Sequence, residues 1–109
     1  MKVSEVGNLM KAIGLPFIYY VWPEGSAPDL PYVVYYFPSG DTEAADNTVW
    51  HGTRALNIEL YTAKKSITTE AKVEKALAAF DLPFSRSETY LSDERMYEVL
   101  FETEVLIDG

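Results

Sequence analysis

The amino-acid sequence predicts an α+β fold, a mainly antiparallel sheet of about five strands with two helices packed on one face, in the order α-β-β-β-α-β-β. Three observations carry that prediction. Met96–Ile107 alternates with period two, two separate stretches repeat apolar residues at three- and four-residue spacing, and the other apolar runs are β-branched and aromatic with turn residues at their ends. With 109 residues the chain is expected to form one domain over 1–109, large enough to bury a core.

Val3, Val6, Leu9, Met10 and Ile13 describe the first helix, stopped by Gly14 and Pro16. Gly7 within it lowers propensity by about 1 kcal/mol against alanine, so packing must hold it. Phe17–Trp22 and Tyr32–Phe37 read as strands bounded by Pro16, Pro23, Pro31 and Pro38. Neither alternates cleanly. Apolar residues on both parities call for cover on both faces, and two helices on one side supply only one.

Pro23–Pro31 is expected to be an irregular loop, and the polar, acidic Pro38–Thr48 a hairpin loop. Val49–Thr62 returns to strand, with Leu56, Ile58 and Leu60 inward, Asn57, Glu59 and Tyr61 outward, and Gly52 a candidate bulge. Thr68 is the expected cap of a second helix running to Phe80 through Val73, Ala76 and Leu77, with Glu70 near its positive end. Phe84–Leu91 is a weaker strand joined by the Ser92–Arg95 turn to the last one, Met96–Ile107. In that strand Tyr97, Val99, Phe101, Thr103, Val105 and Ile107 share one parity, opposite Glu98, Glu102 and Glu104.

Composition narrows the function. Seventeen acidic against nine basic residues give a net charge of -8, which repels a phosphate backbone and disfavours sequence-specific DNA binding. Cysteine is absent, which removes disulfides, thiolate metal sites and cysteine nucleophiles and fits a reducing cytoplasm. MKVSEVGNLM lacks an apolar signal core, and the longest apolar run, Leu15–Trp22, falls short of the roughly 18 residues a membrane helix needs, so a soluble, unprocessed chain is expected.

Candidate chemistry is sparse. His51 is the single histidine and has no second histidine for a metal pair or a triad, so it reads as a solvent-facing strand residue. Asp41, Glu43 and Asp46 suggest a calcium loop, but Asp46 and Gly52 stand where its glycine and bidentate glutamate belong, so a solvated loop is expected. Glu98, Glu102 and Glu104 resemble a carboxylate pair for acid-base work, yet no base accompanies them, and such a row ordinarily keeps a strand soluble. No phosphate loop, nucleophile elbow or dinucleotide glycine pattern occurs. No catalytic residue, metal or cofactor is therefore assigned, and the chain is expected not to be an enzyme.

The aromatic residues carry the remaining signal. Of Tyr19, Tyr20, Trp22, Tyr35, Tyr36 and Trp50, strand alternation sends about half to the helix-covered face. The other half is left for a partner, because large contiguous apolar patches on a subunit usually mark association surfaces.

The segments LPYVVYYFPSGDTEAADNTVW, NIELYTAKKS and SETYLSDERMYEVLFETEVLI cover nearly the whole chain. In Ala45-Asp46-Asn47, in Glu59-Leu60-Tyr61-Thr62, and in Glu88 and Tyr90 with Glu94, Met96 and Tyr97, it resembles the small tail-terminator or tail-completion proteins of phages with long non-contractile tails and of related prophages. None of these motifs is catalytic. The resemblance implies a structural subunit that forms a ring, typically a hexamer, between the major tail protein and the head-tail connector protein. DNA would pass through without specific binding, and the subunit would reside in the virion tail after assembly in the bacterial cytoplasm. A neighbouring head-tail joining protein fits the same pattern. On this basis the expected interface residues are Tyr20, Trp22, Tyr35, Trp50 and Tyr61. Glu98, Glu102 and Glu104, or Asp41, Glu43 and Asp46, are the expected channel-facing acids. The alternative is a small non-enzymatic module that binds a protein or ligand on an open aromatic sheet face.

Overall fold

A computed structural model describes residues 1–38 and 52–106. Its elements are a 3-10 turn at Val3–Glu5, α1 (Val6–Ile13), β1 (Phe17–Tyr19), β2 (Tyr32–Tyr36), β3 (Thr53–Thr62), α2 (Ile67–Ala79), β4 (Ser85–Leu91) and β5 (Met96–Leu106). The fold is α+β, and the order of helices and strands is the one the sequence predicts. All five strands form one sheet in the order β1-β2-β3-β5-β4. β1 runs parallel to β2, made possible by the long Tyr20–Pro31 connection, and every other pairing is antiparallel.

The spine is the β3–β5 ladder, which pairs Thr53 with Leu106 at one end and Thr62 with Tyr97 at the other. Register follows burial: Leu56, Ile58 and Leu60 lie beside Val99, Phe101, Thr103 and Val105 on a single face. Both helices cover that face. Val6, Leu9, Met10 and Ile13 of α1 join Val73, Ala76 and Leu77 of α2 in one cluster with these strand residues and Val33. Thr103 is tolerated there because its hydroxyl donates to the Pro83 carbonyl at 2.7 Å. The first strand is only three residues long, and β4 at the opposite edge is mostly exposed and polar, so neither edge offers a long apolar template.

Several boundaries depart from expectation. The first segment opens with the 3-10 turn and becomes α-helical only at Val6, and Gly14, at φ 84°, ends α1 in the left-handed region that glycine enters without strain. The expected strand Phe17–Trp22 stops at Tyr19, because Tyr20 has a φ of 74° and turns the chain out of the ladder. Thr68 is not the cap of the second helix. Ser66 is: its hydroxyl accepts from the Thr69 amide at 3.2 Å, so the helix begins at Ile67. Val49–His51, expected to open the third strand, Ser39–Thr48, expected to lie in the acidic loop, and Ile107, expected to end the last strand, lie outside the described residues.

A charged cluster locks α2 to β4. Glu70, 2% exposed in the first turn of α2, accepts from Lys65 at 2.8 and 3.0 Å and from Arg86 at 2.6 Å. Arg86 also reaches Glu74 at 2.5 Å and lies 5.5 Å from the centre of the Phe101 ring, while Lys65 extends to Glu88. Burial pushes the Glu70 carboxyl up, but the hydrogen bonds from Lys65 and Arg86 outweigh it and hold the group below its ordinary value.

Candidate functional site

Because both helices lie on one side, the other face of the sheet holds the alternate strand residues. Tyr32, Val34 and Tyr36 of β2 stand beside Glu59 and Tyr61 of β3, and these stand beside Glu98 and Leu100 of β5. The turn at Tyr20 carries the following segment toward this face. Tyr20 meets Tyr36 edge-on with centroids 6.2 Å apart, and Trp22 meets Tyr32 in the same manner at 5.6 Å. Tyr32 in turn lies 5.4 Å from Tyr61. Tyr20, Trp22, Tyr32 and Tyr61, together with Glu59 and Glu94, border a shallow groove of about 300 Å³, floored by the buried Val34. Its outer rim is bare: Tyr20 is 68% exposed and Val21 62%. The Trp22 Nε1 is buried with no hydrogen-bond partner among the described residues.

Along one side of the groove, through Glu59 and Tyr61, runs a polar chain. Asn57 donates to the Tyr36 hydroxyl at 3.3 Å, and Tyr36 donates to Glu59 at 2.8 Å. Tyr61 Oη lies 2.5 Å from the other Glu59 oxygen and 3.0 Å from Glu98. A phenol has one proton, so Tyr61 serves one of those two carboxylates at a time. Burial is the largest influence on Tyr61, followed by the hydrogen bond and charge of Glu59 and the charge of Glu98, and together they push the phenol far above its ordinary value. For Tyr36, the bond from Asn57 pulls the phenol down, but burial, Glu59 and Glu98 outweigh it and the net displacement is upward. Both tyrosines therefore stay protonated at neutral pH and serve as donors to carboxylates rather than as bases.

The electrostatics of this face are one-sided. Its strand residues include Glu59, Glu98, Glu102 and Glu104 and, among the described residues, neither lysine nor arginine. No group of three or more His, Cys, Asp or Glu that could hold a metal ion is present among the described residues. What the arrangement can do is bind: aromatic walls offer area and cation-π contacts, and fixed carboxylates offer acceptors to a cation.

Tyr20, Trp22 and Tyr61 come together on the open face beside the groove. Tyr35 does not join them. Its register with Ile58 turns it to the helix side, where it packs against Phe17 and Tyr19 at centroid distances of 6.2 and 5.4 Å. Glu98, Glu102 and Glu104 share the open face, but Glu98 is half-buried beside Tyr61 while Glu102 and Glu104 are exposed toward the other end. Trp50, Asp41, Glu43 and Asp46 lie outside the described residues. Tyr32 and Glu59 join the site beyond the residues the sequence predicts, although strand parity alone turns Glu59 outward. What was missing was the strand order, which sets β3 between β2 and β5 and so brings Glu59, Tyr61 and Glu98 into contact. No helix of the described residues is long and apolar enough to cross a membrane. No protein-family model matches the chain, and a search of curated proteins finds no similar sequence.

Proposed function

We propose that this chain is a non-enzymatic structural subunit of a phage tail, a tail-terminator or tail-completion protein that forms a ring between the tail tube and the head connector. The observation carrying this reading is the sheet face that the described helices leave uncovered, with its aromatic groove and exposed Tyr20 and Val21. Surfaces of that kind are characteristic of association. The specific identity rests on the sequence resemblance set out above, and the α+β fold with helices on one side is compatible with it. In the ring, Tyr20, Trp22 and Tyr61 contact a neighbouring subunit. Glu98 is engaged with Tyr61, so the channel-facing role falls to the exposed Glu102 and Glu104, whose charge would keep passing DNA from adhering.

Negative-stain images of the protein, alone and mixed with tail tubes, test the reading. Rings of uniform diameter, or occupancy confined to tube ends, are expected; bare tubes beside a uniform monomer contradict it. The groove itself favours a second reading, a module that seats a small ligand or peptide among Tyr20, Trp22, Tyr32 and Tyr61. That alternative predicts a monomer which leaves tube ends empty.

A further inference from the structure

We propose that the aromatic groove is the seat for the outward face of α2 of a second copy of this chain, with Lys72 and Lys75 of that copy entering against Tyr20, Tyr61, Glu94 and Glu98. The contact rests on the ring reading and specifies which surfaces meet.

Charge complementarity between the two layers is the first argument. The open face is acidic and holds no lysine or arginine on its described strand residues, whereas the outward face of α2 presents exposed Lys72 and Lys75. Neither lysine has an ion pair among the described residues, unlike Lys65 and Arg86, which are committed to Glu70, Glu74 and Glu88. The second argument is shape. Ala78 and Ala79 are exposed near the lysines, and small side chains let a helix approach an aromatic surface closely. The third is a shortage of donors. Glu59 already accepts from Tyr36, so whenever the single Tyr61 proton serves Glu59 the Glu98 carboxylate lacks that donor, and an incoming ammonium, with three donors, supplies it while lying against tyrosine faces.

Symmetry follows from the placement. An acidic patch cannot mate with itself without opposing like charges, so the contact joins two different surfaces of the same chain. Such a contact is heterologous, and repeated it closes into a ring if the rotation permits and otherwise grows into a filament.

Two variants that have each lost one half of the contact give the test, read by sedimentation velocity at low salt. K72E/K75E keeps the groove and loses the helix patch. E94Q/E98Q keeps the helix patch, and its glutamines remove the groove's charge while preserving side-chain shape, so they offer nothing to the reversed helix face of the other variant. Each alone is expected to self-associate roughly a hundredfold more weakly than the wild type, the scale of losing buried charge pairs. Mixed, they are expected to form a 1:1 dimer that grows no further, since one intact groove meets one intact helix face. K11E/K64E, with the same change in net charge at exposed lysines, is expected to assemble like the wild type.

Circular dichroism and thermal melts establish that every variant is folded. Wild-type assembly in K72E/K75E, or folded variants that remain monomeric when mixed, overturns the contact. So does a wild-type chain that stays monomeric up to millimolar concentration. Tube-end occupancy that persists in K72E/K75E leaves the tail reading in place while removing this interface from it, so the two can fail separately.

Discussion

Tyr61 is where the chemistry of the open face is most constrained. Its hydroxyl sits between Glu59 and Glu98, so Tyr61→Phe leaves two half-buried carboxylates without their shared donor and is expected to cost about 1–2 kcal/mol in urea unfolding. The phenol is raised above its ordinary value of 10.0 in the folded chain, so the unfolded chain ionises first. Its contribution is fully present below pH 10.0 and is lost as pH rises above that value, and Tyr61→Phe should flatten this alkaline loss. Glu70 has the opposite sign. Its carboxyl lies below the ordinary 4.5 in the folded chain, so its contribution is present above that value and is lost as pH falls through the lower folded value. Arg86→Gln removes one of the two cations holding it and is expected to cost about 1.5–3 kcal/mol at neutral pH, with a smaller difference from wild type in acid. Denaturant midpoints across pH check both.

At the scale of the element, period and capping decide what can be read from sequence. The period-two pattern of Met96–Ile107 and of Leu56, Ile58 and Leu60 identified the core face of β5 and β3, because one buried face leaves alternation no other solution. Phe101 sits at the centre of that face with no exposed surface, and Phe101→Ala is expected to cost about 3–5 kcal/mol by thermal or denaturant unfolding. Capping was less legible. Ser66 and Thr68 are both good cap residues by type, and the backbone geometry that selects Ser66 is local in structure but not in composition. Ser66→Ala is therefore expected to destabilise by about 1 kcal/mol, and Thr68→Ala to lie within about 0.5 kcal/mol of wild type. The early end of β1 was equally hidden, since an aromatic residue such as Tyr20 gives no advance sign of a positive φ.

For the whole molecule, the informative quantity is the mismatch between covering and covered surface. Among the described residues two helices cover one side of a five-stranded sheet, and the sequence made this readable: the helical stretches were few and the apolar strand runs were not confined to one parity. Which aromatic residues remain outside was only half readable. Tyr61 follows from strand parity, but Tyr35 belongs to the helix side by its register with Ile58, and Tyr20 with Trp22 reaches the open face through a turn rather than along a strand. The cluster of Lys65, Glu70 and Arg86 depends on β4 lying under α2, a long-range placement that local patterns do not encode. The central claim, that the open face is an association surface, is met most directly by the solution mass of the chain. Light scattering over a concentration series is predicted to give a multiple of 12.3 kDa for the wild type and a return to 12.3 kDa for a folded Tyr20→Glu, Val21→Glu double variant. A wild type that stays at 12.3 kDa throughout, or a double variant that assembles as the wild type does, would contradict it.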